Sequence, residues 1–348
     1  MECASPFIED EYISLSHGSG GLASSKLIES VFYAAFDNHI LNQQADSAIL
    51  AFEALEGSQQ LAFTTDTYVV NPLFFPGGDI GQLAVCGTLN DLAMVGAKPL
   101  FLSAGFILEE GLAMRTLQQI VDSMALTARA HGVQIVTGDT KVVEKGAADQ
   151  IYINTTGIGI KQVSHSISPK AIRCGDKVIL TGDLGRHGMA VMCQREGLEF
   201  ESQIQSDVAC LYPAIATLLE QQIAIHCMRD LTRGGLGSVL NELSQSSAHS
   251  IKVNESEIPI HSEVRAATEL LGLDPLYVAN EGCCLIVVPE HEATHTLSLL
   301  KEVEVSAQAR CIGTVLQTSS RPQVILHSIY GAERILPHLS GIQLPRIC

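Results

Sequence analysis

Apolar and polar positions alternate along this chain with two different periods. Helical spacing runs through Leu22, Leu27, Ile28, Val31, Phe32 and Ala35. It is cleaner over residues 112–131, where Leu117, Ile120, Val121, Met124 and Ala128 share one face opposite Arg115, Gln118, Gln119 and Asp122. Residues 79–96 are apolar almost all round, which predicts a buried helix. Strand-like runs fall at 47–52 and 60–65 around a Glu56-Gly57-Ser58 turn, then at 99–108, 133–137 and 150–160. Together these predict a first domain over 13–161, preceded by a flexible acidic arm at 1–12. The polar stretch 162–175, with Ser164, Ser166, Ser168 and Pro169, predicts a linker. A second domain over 176–335 mixes strands (177–181, 284–288, 309–315, 323–326) with helices (190–195, 208–221, 236–247, 292–303). Residues 336–348 read as a mobile tail. The elements interleave without a regular βαβ rhythm, so the fold class is α+β in two domains.

Charge and cysteine usage narrow the function classes. The 348 residues carry 38 Asp+Glu against 21 Lys+Arg, a formal net charge of -17. Such a chain repels nucleic acid and anionic membrane, and a polyphosphate site in it must supply its own cations or a helix N-terminus. The ten cysteines include no CxxC, and the close pair Cys283–Cys284 is too tight for ordinary zinc or disulfide frameworks. They read as reduced thiols of an intracellular protein. Residues 1–12 lack an apolar core, so no signal peptide is expected, and no uncharged apolar run reaches membrane-spanning length. A cytoplasmic location follows as the expectation.

Several constellations carry chemistry. His17-Gly18-Ser19-Gly20-Gly21 precedes a helical pattern, so its backbone can approach an anion beside a helix N-terminus. A flexible hinge is the alternative reading of the same glycines. No GxxxxGK[ST] is present, and no βαβ unit surrounds the glycines as a dinucleotide fold requires. Asp46 opens one strand and Asp66 closes the next, which brings the two carboxylates together if the strands form an antiparallel hairpin. Asn90-Asp91 interrupts an apolar helix, where an unpaired charge is costly. Asp230 sits in Arg229-Asp230-Leu231-Thr232-Arg233-Gly234-Gly235. An oxygen-only set of this kind suits Mg²⁺ with a nucleotide's phosphates, while helix capping or a turn accounts equally for Asp66 or Asp230 alone. Thr137-Gly138-Asp139-Thr140-Lys141 reads as a polar turn leaving a strand, a common ligand position. His291-Glu292-Ala293-Thr294-His295 is a literal HExxH, but Ser298 and Lys301 stand where the extended zinc-protease pattern needs Gly and His. Cys348 ends the sequence behind the stiffening Pro345, and nothing follows it to make a prenylation site.

The set HGSGG (17–21), TTDT (64–67), NDLAMVGAKP (90–99), TGDTKVV (137–143), RDLTRGGL (229–236), ANEGC (279–283) and PRIC (345–348) resembles the HypE carbamoyl dehydratases of [NiFe]-hydrogenase maturation, a branch of the PurM-like ATP-binding superfamily. The resemblance spans nearly the whole chain, and the P-R-x-C ending separates this branch from synthetase and kinase relatives. Asp46-Ser47 departs from the doubled acidic pair expected there. The resemblance implies a PurM-like fold whose N-terminal sheets pair into a barrel in a homodimer. It implies ATP-dependent dehydration of an S-carbamoyl group on Cys348 to a thiocyanate. The carbamoyl group comes from a HypF carbamoyltransferase, and the cyanide goes to iron on a HypC–HypD scaffold. It further implies ATP contacts from Gly18, Ser19, Gly20, Gly21, Asp66, Thr67, Gly138, Asp139 and Thr140, and Mg²⁺ ligands Asp46, Asp66, Asp91 and Asp230. Lys141 and Glu281 would position and deprotonate the docked thiocarbamate. The rival readings are a synthetase of the same fold acting on a free small molecule, a carbamoyl carrier with no need of ATP, and a zinc peptidase.

Overall fold

The structure is a computed structural model that describes residues 22–27, 29, 47–51, 60–198, 204–339, 344 and 346–348. After a short helix α1 (Leu22–Leu27), the first half of the chain builds a five-stranded sheet. Its strands are β1 (Ala48–Ala51), β2 (Gln60–Tyr68), β5 (Ala97–Glu109), β6 (Gln134–Val143) and β7 (Ile151–Lys161), in the order β1-β2-β7-β5-β6. A ribbon of β3 (Phe74–Phe75) and β4 (Gly78–Asp79) stands apart from it.

Side-chain alternation gives this sheet two unlike faces. On β2, Ala62, Thr64 and Tyr68 are buried while Phe63, Thr65 and Thr67 are exposed. Helices α2 (Ile80–Met94) and α3 (Met114–Ala130) belong to the same half as the sheet. Asp79 caps α2, its Oδ1 accepting from the Gly81 and Gln82 amides at 2.7 and 3.1 Å. The α2 helix packs on the sheet and also on elements of the second domain, so it has no polar face. Its Leu83, Leu89 and Leu92 are fully buried, each burial contributing about 1.5–3 kcal/mol. The α3 helix is amphipathic, with Ile120, Met124 and Ala128 inward as its spacing predicts, whereas Val121, expected on the same face, is exposed.

The second half forms a seven-stranded sheet in the order β14-β13-β10-β12-β8-β11-β9. The strands are β8 (Lys177–Leu180), β9 (Cys227–Asp230), β10 (His249–Asn254), β11 (Cys284–Val288), β12 (Arg310–Thr318), β13 (Val324–His327) and β14 (Glu333–Ile335). Five helices accompany them: α4 (Arg186–Glu196), α5 (Tyr212–Glu220), α6 (Gly235–Ser247), α7 (Ser262–Leu271) and α8 (Ala293–Lys301). β11, between β8 and β9, is buried at every residue, as a strand covered on both faces must be.

Several elements differ from the sequence expectation. β9, β10, α7 and β14 carry too little periodicity to be read from the chain alone. Thr137–Lys141 is not a turn: β6 continues through it, paired in parallel with β5 from Phe101 to Glu109. Gly138 permits this, because a Cβ there would lie 2.2 Å from the Ala104 carbonyl oxygen. Residues 162–175 include a 3₁₀ turn at Pro169–Ala171 and bury Ile167 and Ile172. The described part of the tail is packed against the protein, with Leu336, Leu339 and Ile347 buried. The residues expected to form the acidic arm, the glycine loop and Asp46 lie outside the described residues.

Candidate functional site

The two sheets place the candidate carboxylates on one side of the molecule. Asp66 lies on β2, on the inner face with Thr64 and Tyr68, and the strand runs two residues past it instead of ending there. Asp91, near the end of α2, meets that face: the Thr64 hydroxyl donates to its Oδ2 at 2.9 Å, and the Ser47 hydroxyl to its carbonyl at 2.9 Å. Its neighbour Asn90 is a structural tie. The Asn90 amide donates to the carbonyls of Ala209 and Glu281 at 3.0 and 3.2 Å and accepts from the Leu211 amide at 2.7 Å. Asp230 ends β9, opposite Cys284 of β11. It caps no helix, because α6 begins behind Gly234 with no side-chain cap.

The loop between β9 and α6 supplies a residue that the sequence reading passed over. Arg233 Nη2 lies 2.9 Å from Asp66 Oδ1, an ion pair between the two halves of the chain. Gly234 and Gly235 follow it, both with positive φ (66° and 58°), and a Cβ on Gly235 would strike the Val278 carbonyl at 2.6 Å. This sharp turn directs the preceding arginine to the cleft. Asp66 first, then Cys348, Asp91 and Asp230, raise the Arg233 pKa against the effect of burial.

Glu281 stands on the loop before β11 and is buried, and its Oε1 has no hydrogen-bond partner among the described residues. Burial first, then the neighbouring Asp230, Asp207 and Asp66, push its carboxyl well above the usual range, and Arg233 opposes them. Two anchors hold its loop. The Asp207 carboxylate accepts from the amides of Glu281 and Gly282 at 3.2 and 2.9 Å. Asn280 Oδ1 accepts from the Gly185 amide at 2.6 Å. Asp230 is likewise raised, by burial above all and against the pull of Arg229.

Into this cluster runs the tail. Cys348 is partly buried and shares a cavity of about 120 Å³ with Val69, Thr232, Arg233, Tyr277 and Ala279. Burial, followed by Glu281, pushes its thiol up to about 12, while Arg233 pulls it down. The main chain of the tail is fixed residue by residue. Val69 donates to the Cys348 oxygen at 3.1 Å and Asn71 to the Arg346 carbonyl at 3.4 Å. Arg346 Nε donates to the Val69 carbonyl at 3.1 Å, and its Nη1 pairs with Asp149. Arg195 Nη2 donates to the Arg346 carbonyl at 2.7 Å. His187 Nε2 lies 2.9 Å from the Ile347 carbonyl and its Nδ1 lies 2.8 Å from the Ser206 hydroxyl. A carbonyl only accepts, so the proton sits on Nε2 and Nδ1 accepts from Ser206.

The remaining expected residues fall elsewhere. Thr67, Asn154, Gly105 and Asp139 stand opposite one another across four strands, on the outer sheet face. Lys141 lies on that face as well and pairs with Asp139 at 3.1 Å, both side chains 72% exposed. Gly138 and Thr140 occupy the same exposed edge strand. One chain therefore does not bring Lys141 or Asp139 to Glu281, because the sheet itself stands between them. Among the described residues no group of three or more His, Cys, Asp or Glu is arranged to hold a metal ion. In the HExxH the helix starts only at Ala293, and His291 sits in the preceding turn.

Two family models match the chain: the N-terminal domain of AIR synthase related proteins over residues 44–161, and the C-terminal domain over 173–324. The carbamoyl dehydratase HypE of Cupriavidus necator is 46% identical over 98% of this chain and 96% of its own length. The HypE of Escherichia coli K12 is 45% identical over 97% and 99%. A crystal structure of a HypE–HypF complex superposes with a TM-score of 0.84 at 46% identity, covering 90% of this chain and 99% of that one. A structure of HypE in complex with ATP gives 0.81 at 45%, covering 97% and 100%. Thiamine monophosphate kinase of Aquifex aeolicus shares the fold alone, at 15% identity and a TM-score of 0.62 over 86% and 95%.

Proposed function

Because this chain belongs to the AIR-synthase-related family and, within it, to the HypE carbamoyl dehydratases, we propose that it converts an S-carbamoyl group on Cys348 to a thiocyanate at the expense of ATP. The observation that carries this reading is the seat of Cys348: its thiol shares a cavity with Arg233 and has Glu281, Asp66 and Asp230 as electrostatic neighbours. An enzyme acting on a free small molecule would have to clear its own tail from that space.

The chemistry balances as follows. Glu281 takes one nitrogen proton of Cys348–S–C(=O)–NH₂ while the carbonyl oxygen attacks the γ-phosphorus and ADP departs. Loss of the second nitrogen proton and of phosphate, which carries away the former carbonyl oxygen, leaves Cys348–S–C≡N. A raised pKa makes Glu281, once ionised, a stronger base than an exposed carboxylate. Asp66, Asp91 and Asp230, with Asp46, are the proposed Mg²⁺ ligands, because carboxylate oxygens are the donors this cation takes; the described three are not gathered in the resting chain, where Arg233 holds Asp66 and Thr64 holds Asp91. When bound, that ion neutralises charge on the transferring phosphoryl group. Asp66 would exchange its Arg233 partner for that role.

Gly18, Ser19, Gly20, Gly21, Thr67, Gly138, Asp139 and Thr140 are the proposed nucleotide contacts. The carbamoyl donor is a HypF-type carbamoyltransferase, and the acceptor of cyanide is iron on a HypC–HypD-type scaffold in the cytoplasm. A homodimer is part of the same proposal. The outer sheet face presents Phe63, Phe101, Ile107 and Ile158 to solvent, an apolar surface suited to a second copy. Lys141 and Asp139, on that face, serve the site only through such a pairing.

The test is intact-mass analysis after incubation with the carbamoyltransferase, carbamoyl phosphate and ATP. Successive carbamoyl and cyano adducts are expected, and both vanish in Cys348→Ala. An adduct surviving that substitution on another cysteine refutes the assignment.

A further inference from the structure

We propose that Arg233 is a catalytic residue of this reaction: its guanidinium moves from Asp66 to the carbamoyl oxygen on Cys348 and holds the charge that develops there as the oxygen is phosphorylated. The inference rests on the dehydratase reading above and assigns a role to a residue that reading does not use.

Charge development on the oxygen requires a donor beside it, preferably a planar one that can address both the oxygen and an incoming phosphoryl group. Several other described cations are committed elsewhere. Arg346 pairs with Asp149, Arg229 with Glu242 at 3.1 Å, and Arg186 with Asp183 at 2.7 Å. Arg195 holds main-chain carbonyls, and Lys141 stands on the far face of the sheet. Arg233 lines the same cavity as Cys348. Its one hydrogen bond among the described residues uses Nη2 and Asp66, which leaves Nε and Nη1 to address a group on the sulfur.

Its mooring also fits the sequence of events. Asp66 is one of the carboxylates proposed for Mg²⁺, so Arg233 would leave Asp66 free for that role as its guanidinium turns toward the tail. The side chain is 58% exposed, so its head has room to move, while the two glycines behind it fix the backbone. Arg233 therefore holds the carboxylate in the resting protein and holds the reacting oxygen once ATP has bound.

The test uses full-length protein, first S-carbamoylated on Cys348 by the carbamoyltransferase, then mixed with Mg²⁺ and ATP in a single turnover. Arg233→Gln and Arg233→Lys are compared with the unsubstituted chain for cyano-adduct formation, ATP affinity and melting temperature. The expected result for Arg233→Gln is accumulated carbamoyl adduct and cyano formation slower by about 100-fold or more, the scale of losing one oxyanion donor. ATP affinity should change far less than the rate, and Arg233→Lys should recover part of it. Cyano formation by Arg233→Gln at the unsubstituted rate overturns the proposal and leaves the dehydratase reading intact. Equal losses of melting temperature and ATP affinity, with no recovery in Arg233→Lys, also overturn it and leave Arg233 as the structural partner of Asp66. If the unsubstituted chain itself forms no cyano adduct, the dehydratase reading falls and this inference with it.

Discussion

Arg346 in the tail and Asp149 ahead of β7 form an ion pair across 197 positions of sequence, one of the contacts that hold the tail bearing Cys348. Asp149 also accepts from the Asn71 side chain at 2.8 Å, so one carboxylate ties the tail to the segment along which it lies. The Arg346 hydrogen bond is the leading cause of its lowered pKa.

Asp149→Ala should loosen the tail without unfolding the protein. Both partners are about a third exposed, so the pair is worth about 1 kcal/mol, or roughly a fivefold shift in the docked population. Alkylation of Cys348, followed by peptide mass mapping, should accelerate by a similar factor at pH 8. An unchanged rate would mean that the backbone hydrogen bonds hold the tail alone.

Glu281→Gln should raise the melting temperature at pH 8 while blocking cyanide formation. The native pKa of Glu281 lies above its unfolded value, because burial disfavours the charge. Its favourable contribution is complete below the unfolded value of about 4.3 and is lost as pH rises toward the native one. The gain from glutamine should therefore grow from pH 4 to pH 8, as differential scanning calorimetry can follow. A gain that is flat with pH contradicts the assigned direction.

His187 gives the opposite slope. Burial lowers its pKa, so the native state keeps it neutral while the unfolded chain takes up a proton. Its stabilisation is present above the unfolded value of about 6.5 and declines as pH falls below it. Replacing it with Gln should flatten that part of the stability profile. Chemical denaturation at pH 7.5 and pH 5.5 gives the comparison, and equal pH sensitivity in both proteins would exclude His187 as its source.

Phe101→Glu, together with Ile158→Lys, should yield a monomer in sedimentation velocity if the outer sheet face seats a second copy. The two residues are opposite each other in the β5–β7 register and both are exposed in one chain, so the fold should persist. Lys141 and Asp139 would lose access to the site at the same time. An unaltered sedimentation coefficient would place the contact elsewhere.

Local pattern carried the sequence reading where it carried physics. The amphipathic stripe of 112–131 became α3, the all-round apolar run after Asp79 became α2, and the apolar run 284–288 became the buried β11 unchanged. Asp91 stood out because charge inside an apolar helix needs a reason, Asp66 and Asp230 were candidates that capping or a turn explained as well, and Glu281 was proposed only through the family resemblance. What the chain could not reveal was decided by pairing between distant segments. Gly138 and Asp139 resemble a turn in isolation, and the parallel partner β5 makes them strand. Asn90 and Asp91 look alike in sequence, yet one binds the 209–211 main chain and the other meets β2. Arg233 stood within a recognised motif, but its value lies in a contact across 167 positions to Asp66. Helical and strand periods are local properties of a chain. Which charge meets which is settled only when the two sheets close around the tail.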